Sequence, residues 1–370
     1  MGSEITRRLA SIQRIVEIRP IEGADAIEVA RVLGWDVVVK KGEFQVGDLA
    51  VYFEIDSFLP RREEWKFLEK SSLRKMGEKE GLRLKTIKLR GQISQGLLLP
   101  VASLFERNEE DPTLWEYTIN NSVYNEDELV VEFKTQIWDL EEGDDLTEML
   151  GIVKWDPPVP ANLAGVVRGN FPSFIRKTDQ DRIQNCFGKL KNKWIDHVWE
   201  VTVKMDGSSF TSYLNGENFG VCSRNMDLAE SEENSFWQIA RKYDLENKLK
   251  ALGRNIAIQG ELCGPGIQKN FEQLQEIDMF VFDIFDIDTQ SYLSAPDRYE
   301  IVQQLGLNHT PIVHQSCEMD TTVTLQQILD SAEGPSLYRQ NREGIVFKSL
   351  TDPNVSFKAI SNSYLLKHEE

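Results

Sequence analysis

The chain has little with which to staple itself or to cage a soft metal: four cysteines and four histidines in 370 residues. Cys186, Cys222, Cys263 and Cys317 are widely spaced and form no Cys-x-x-Cys pair. That excludes a disulfide framework and a thiolate zinc site, and it points to a reducing, cytoplasmic setting. The histidines are scattered, and His197 and His314 sit beside apolar residues, where a structural role is expected. A metal should then be held by carboxylates, which favours magnesium. Long apolar runs are missing too. None approaches the roughly 20 residues of a membrane span, and no signal-peptide core follows the N-terminus, so no membrane partner is expected. Met1-Gly2-Ser3-Glu4-Ile5-Thr6 fits the loose myristoylation pattern, but one acyl chain anchors only marginally, and that reading is set aside.

Positive charge is short overall, with a formal net charge of −18. Such a balance counts against a nucleic-acid enzyme, because phosphate binding rests on Lys and Arg. Its distribution removes much of the objection. Between Glu106 and Glu148 there are fifteen acidic residues against two basic, whereas between Arg61 and Arg90 there are eleven basic against five acidic. A basic segment can hold a phosphate backbone while an acidic one faces solvent or repels misplaced nucleic acid.

The length and a hydrophobic content of 41% suit two domains. The first hundred residues read as strands: Ile12–Ile18, Ala26–Val32, Trp35–Val39 and the stretch Phe44–Phe53, separated by Gly-containing turns. Many short strands with Gly turns predict a small barrel, and an OB-fold is the natural candidate. Thr86–Pro100 closes it with a basic strand carrying Lys88 and Arg90. Lys154-Trp155-Asp156-Pro157-Pro158-Val159-Pro160 reads as an extended linker. Beyond it, Thr178 with Asp181 signals a helix start, and Ile183, Phe187 and Leu190 share one face of a helix running to about Lys191. Arg182 and Gln184 lie off that stripe, available to a ligand or solvated.

The most informative stretch is Val201-Thr202-Val203-Lys204-Met205-Asp206-Gly207-Ser208-Ser209-Phe210. A β-branched run leads into Lys-x-Asp-Gly, and a second apolar run follows. That pattern predicts a strand, a tight turn and a return strand, with a lysine fixed at the strand end where its amine can act as a covalent nucleophile. Four further stretches follow in order: Gln259-Gly260-Glu261-Leu262-Cys263-Gly264, Met279-Phe280-Val281-Phe282-Asp283-Ile284, Glu343-Gly344-Ile345-Val346-Phe347-Lys348 and Val355-Ser356-Phe357-Lys358.

Together these resemble the motifs of the covalent nucleotidyltransferases, the ATP-dependent ligases and capping guanylyltransferases. In guanylyltransferases and most DNA ligases the OB domain follows the transferase domain, whereas here the β-rich domain comes first and almost nothing follows Lys358. That order, with Gly91-Gln92-Ile93-Ser94-Gln95-Gly96 and Lys177–Asn185, is similar to the fifth family of ATP-dependent RNA ligases. The resemblance covers nearly the whole chain apart from an acidic insertion at about 106–130. It implies an α+β protein: an N-terminal OB-fold barrel (1–152), a linker (153–170) and a C-terminal adenylyltransferase domain of antiparallel sheets and helices (171–370).

The resemblance also implies roles. Lys204 would attack ATP and carry AMP, with Gly207 in the nucleotide-binding turn, and Lys348 and Lys358 would lower its proton affinity and neutralise phosphoryl charge. Asp206, Glu261 and Glu343 would hold Mg2+ or Mn2+ directly or through water. Glu261 would also reach the ribose, Phe282 would stack on adenine, and Arg224 would grip a phosphate. Arg182, Gln184, Lys88 and Arg90 are candidates for nucleic acid or phosphate. The family's last motif often has two lysines at alternate positions, but here Ala359 and Ile360 follow Lys358, with Lys367 a poor substitute. The expected partner is nicked duplex RNA with a ribonucleotide 3′-OH end, bound by a monomer. A DNA ligase or capping-type transferase remains an alternative, distinguished by which nucleotide labels the protein. So does a non-catalytic RNA-binding protein, against which the intact Lys204, Asp206, Glu261, Glu343 and Lys358 argue.

Overall fold

The computed structural model describes residues 8–77, 79–125, 128–155 and 167–368, without the side chains of 119–135. The chain divides into two compact units, Arg7–Pro158 and Val159–His368. The myristoylation-like start and most of the proposed linker lie outside the described residues.

In the first unit, five antiparallel strands run in the order Leu97–Pro100, Leu49–Phe53, Ala10–Pro20, Ile27–Val32 and Trp35–Lys40. The long strand Ala10–Pro20 serves two partners. Its first half pairs with Leu49–Phe53 and its second with Ile27–Val32, and the register shifts at Val16 between Ile15 and Glu17. An extra residue on one strand bends it and increases its twist, which lets one strand turn a barrel corner. Ile12, Phe53 and Trp65 are fully buried in the core beneath it.

A second sheet of this unit orders Val153–Lys154, Ser57–Pro60, Lys79–Arg83 and Leu73–Met76. The stretch read as linker from 153 therefore begins as a strand, and Trp155 packs its ring 5.5 Å from Phe58. Part of the acidic stretch lies in a three-stranded sheet of Glu106–Arg107, Trp115–Asn125 and Glu128–Trp138. Lys88 and Arg90 are exposed on the hairpin Thr86–Leu89/Gln92–Gln95, whose turn has positive φ at Arg90 (49°) and Gly91 (84°). Positive φ at both central residues is what a two-residue turn matched to strand twist requires.

The second unit is built on two sheets. One has five strands in the order Asp181–Arg182, Ser356–Ile360, Gly344–Ser349, Val198–Lys204 and Ile312–Glu318. The other has eight, with Ser208–Asn215, Ile256–Cys263 and Asp278–Asp286 adjacent near its centre. Trp199, Val201, Ile345, Phe347 and Phe357 pack the five-stranded sheet against the helices Ile183–Lys189 and Leu325–Ser331. Helices Ser235–Lys242, Leu245–Leu252 and Ala295–Leu305 cover the eight-stranded sheet through Phe210, Ile258, Met279 and their neighbours.

Two expectations are corrected here. The helix expected from Thr178 begins at Ile183 after a short strand, with no side-chain cap, and Thr178 meets the Ser209 hydroxyl instead (3.2 Å). Its apolar stripe stands, since Ile183 and Leu190 are buried. Arg182 and Gln184 are not solvated: they are only 7% and 2% exposed, because the strand at Arg182 pairs with Lys358 and tucks that end of the helix inward.

Candidate active site

Strand periodicity brings the three lysines together. Lys204 pairs with Gly344, and Thr202 with Val346, which in turn pairs with Lys358. Directly paired residues share a face and alternate residues repeat it, so Lys204, Lys348 and Lys358 project from one face of the five-stranded sheet. The chain then crosses from Lys204 through Met205-Asp206-Gly207 into Ser208–Asn215 of the other sheet, whose neighbour carries Glu261 opposite Ser209. A Cβ on Gly207 would lie 2.2 Å from the Leu262 carbonyl oxygen, and one on Gly344 would lie 2.3 Å from that of Ala359. Both motif glycines are thus required by close backbone approach.

The Lys204 amine donates to Glu343 Oε2 at 2.7 Å. Burial alone would lower its proton affinity, but Glu343, Glu261 and Asp206 together raise it above the ordinary lysine value. The expectation that neighbouring cations depress Lys204 is therefore corrected. The nearest charges are carboxylates, and they hold the amine as an ammonium. Burial raises the Glu343 carboxyl above its usual range and pushes Glu261 up to about 8, with the like charge of Asp206 adding to both. Lys358 lies close enough to favour the charged form of Glu343. Asp206 Oδ2 accepts a hydrogen bond from the Tyr364 hydroxyl at 2.7 Å.

Lys348 is the lysine whose proton affinity falls, to about 8, through burial and the nearby Arg298 guanidinium, against the pull of Asp283. Its amine meets Asp283 Oδ1 at 2.6 Å and also donates to the Phe282 carbonyl. Behind it lies a buried polar network. Arg298 pairs with Glu200, which also accepts from the Tyr299 hydroxyl, and Arg298 Nε donates to His309 Nε2 at 3.2 Å. The proton of His309 therefore sits on Nδ1, which donates to the Thr310 carbonyl (2.7 Å). Burial first, then Arg298, pushes His309 down to about 4.

Phe282 owes its position to a bulge. Gly260 pairs with Val281 and Gln259 with Asp283, leaving Phe282 as the extra residue. A bulge re-aims a side chain that strict alternation would send elsewhere. The half-buried Phe282 ring lies 5.4 Å from the Lys348 amine. Arg224, exposed, pairs with Asp179 at 2.6 Å and is near enough to Glu261 to favour its charged form. Of the residues singled out from sequence, Lys204, Asp206, Gly207, Glu261, Phe282, Glu343, Lys348, Lys358 and Arg224 fall in the second unit around this site, with Arg182 paired to Lys358. Gln184 is buried at the start of the adjoining helix. Lys88 and Arg90 belong to the first unit.

Sequence reading missed Tyr364, Glu200, Arg298 and His309. No motif spacing marks them, and only their long-range partners do. Among the described residues, no three carboxylate, histidine or cysteine side chains converge closely enough to cage a metal by themselves. No helix among them is long and apolar enough to cross a membrane.

A family model described as an OB-fold domain matches residues 9–101, and one described as RNA ligase matches residues 197–360. The chain is 42% identical to Naegleria gruberi RNA ligase in solved structures of mutants with AMP and Mn and with ATP and Mn. It covers 98% of this chain and 99% of each of those, with TM-scores of 0.84 and 0.83. A structure of the same ligase with PPi matches over the same shares at 42% identity and a TM-score of 0.84. Among curated proteins there is no match.

Proposed function

Since the chain belongs to the ATP-dependent RNA ligases, in the fifth family with its OB-fold domain ahead of the transferase domain, we propose that it seals 3′-OH/5′-phosphate nicks through a lysyl-AMP at Lys204. The observation that carries this reading is the placement of Lys204. Its amine stands at a strand end, 2.7 Å from Glu343, on the sheet face that also bears Lys348 and Lys358.

ATP and a divalent ion, magnesium or manganese, are the partners of this chemistry. The donor set suits such an ion. The Glu261 carboxylate is largely desolvated, its affinity for a proton is raised to about 8, and Lys204 and Arg224 are the cations that favour its charged form. The lack of a ready-made cage is also in keeping, because magnesium usually takes one or two carboxylates and completes its shell with water and phosphate. Asp206, Glu261 and Glu343 would hold it directly or through water. Once bound, the ion would offset the carboxylate charge that keeps Lys204 protonated, making the neutral amine accessible.

The residues then divide the work. Glu343 aligns the Lys204 amine toward the α-phosphorus, where an N–P bond forms as the bond to pyrophosphate breaks. Lys348 and Lys358 oppose the charge that develops on the phosphoryl oxygens, since phosphoryl transfer depends chiefly on positioning and electrostatics. Phe282 stacks on the base, Gly207 lets the nucleotide approach the turn, and Arg224 exchanges Asp179 for a phosphate. AMP passes next to the RNA 5′-phosphate, and the 3′-OH displaces it to close the strand. Arg182 lines the Lys358 strand as a further phosphate contact, with Gln184 beside it. In the first unit, Lys88, Arg90 and the basic segment around them would hold the nicked duplex.

The test is incubation with labelled ATP or GTP, with and without magnesium, followed by mapping of the adduct. AMP on Lys204, lost in Lys204→Ala, is expected. GMP in its place, or AMP on another residue, rejects the assignment.

A further inference from the structure

The C-terminal helix Asn362–His368 enters the site through one hydroxyl. Ser361 begins it as an N-cap. Its backbone N–H donates to the Glu343 carbonyl (2.9 Å), and its Oγ accepts from the Tyr364 N–H (3.0 Å). The same Oγ donates to Glu333 Oε2 (2.8 Å), while Glu333 Oε1 accepts from the Ser363 N–H (3.2 Å). Ser361 and Leu365 are buried, so the first turn is tied down on both sides. The ring of Tyr364 stands edge-on to the buried Phe271 at 5.4 Å, and the Arg339 guanidinium covers Phe271 at 5.2 Å. The edge-on contact with Phe271 and the anchored first turn thus direct the Tyr364 hydroxyl, which points at Asp206 Oδ2, 2.7 Å away.

Asp206 needs such a partner. It sits in a turn and shares its surroundings with Glu261 and Glu343, two carboxylates that repel it. Left to itself, its side chain would rotate toward solvent, away from like charge. A neutral donor held by a capped helix keeps it inward without adding a competing cation. We infer that Tyr364 is a positioning residue of the adenylylation step, its hydroxyl setting the orientation of the Asp206 carboxylate beside Lys204. Through Ser361 the same helix is joined to the backbone of Glu343, so one short element aligns two of the three carboxylates. This inference rests on the proposed role of Asp206 at the reacting centre.

Tyr364→Phe removes the hydroxyl and keeps the ring against Phe271. The full chain is compared as wild type, Tyr364→Phe, Asp206→Asn and the double variant. The readouts are the single-turnover rate constant for lysine–AMP formation, the final fraction of protein labelled, and the thermal midpoint. A hydrogen bond to a charged group implies a rate constant roughly tenfold to a hundredfold lower in Tyr364→Phe, with the final labelled fraction and the midpoint unchanged. Because the hydroxyl acts through Asp206, the double variant should be no slower than Asp206→Asn.

An unchanged rate constant in Tyr364→Phe overturns the inference. A reduced labelled fraction with an unchanged rate constant also overturns it, since that is what a structural role alone produces. Equal slowing by Tyr364→Phe in both backgrounds, or an Asp206→Asn too slow to measure beside a Tyr364→Phe that reacts at the wild-type rate, rejects it too. A wild-type rate in Asp206→Asn instead rejects the role of Asp206, whatever Tyr364→Phe does.

Discussion

His309 should make the second unit sensitive to mild acid, and the size of the effect follows from its surroundings. The neutral imidazole accepts from Arg298 Nε and donates to the Thr310 carbonyl, so a second proton has no acceptor and would face a guanidinium. Its proton affinity accordingly falls from 6.5 to about 4. As pH drops below 6.5 the unfolded chain takes up the proton while the folded one does not. Stability is therefore present above pH 6.5 and lost as pH falls toward the folded value. The fall from 6.5 to about 4 corresponds to roughly 3 kcal/mol in all, of which about 2 kcal/mol is gone by pH 5. The perturbation that isolates this group is His309→Gln, whose side-chain oxygen can still accept from Arg298 but cannot be protonated. Urea unfolding is followed at pH 7.5 and pH 5 by tryptophan fluorescence, to which Trp194, Trp199 and Trp237 of the second unit contribute. The wild type should lose about 2 kcal/mol more than the variant between the two conditions, near 1 M in midpoint for a typical urea slope. The comparison between proteins cancels the other groups that titrate in this range. Equal losses in the two proteins would refute the argument.

Other outcomes follow from the same geometry. Gly207→Ala should fold yet form little lysyl-AMP, because the new methyl must push the Leu262 carbonyl and Cys263 away from the turn; wild-type labelling kinetics would show that the close approach is dispensable. Asp283→Asn removes the charge that holds Lys348 protonated, so the alkaline limb of the adenylylation pH profile should move down by roughly a unit or more, and an unmoved limb would remove Lys348 from that profile. At the nick, a terminal 2′-OH should help orient the attacking 3′-OH, and displacing that nucleophile by about 1 Å costs on the order of a hundredfold. On preadenylylated substrate, all-DNA nicks should therefore be sealed poorly and ribonucleotides at the 3′-OH end should restore sealing; equal rates would reject a role for the sugar.

What the sequence determined by itself was whatever depends on neighbours along the chain. The Val201–Phe210 run, with its Lys-x-Asp-Gly turn, encodes two strands and the lysine between them, because β-branched periodicity and a Gly turn are local signals. The strands of the first hundred residues were legible for the same reason: Trp35–Val39 was expected and Trp35–Lys40 is found. The order of the five motif stretches pointed to the covalent nucleotidyltransferases, and the β-rich domain ahead of them, with Gly91–Gly96 and Lys177–Asn185, pointed to the family. Local signals also misled where tertiary pairing overrode them. The Thr178 helix start gave way to a strand beside Lys358, and the supposed linker at 153 was drawn into a sheet with Ser57–Phe58.

Only the tertiary structure decided the electrical state of the site. Lys204 is surrounded by carboxylates brought from residues 261 and 343, so its charge is set by distance and burial, which no spacing in the sequence encodes. The lysine with the lowered proton affinity proved to be Lys348, because Arg298 and a desolvated strand face converge on it. Phe282 could be picked out beside Asp283 in the sequence, but its direction comes from a bulge that exists only once Gln259 and Gly260 are paired. Tyr364 carried no signal at all. Its hydroxyl reaches Asp206 across 158 positions of chain, and a hydrogen bond of that kind is created by packing alone.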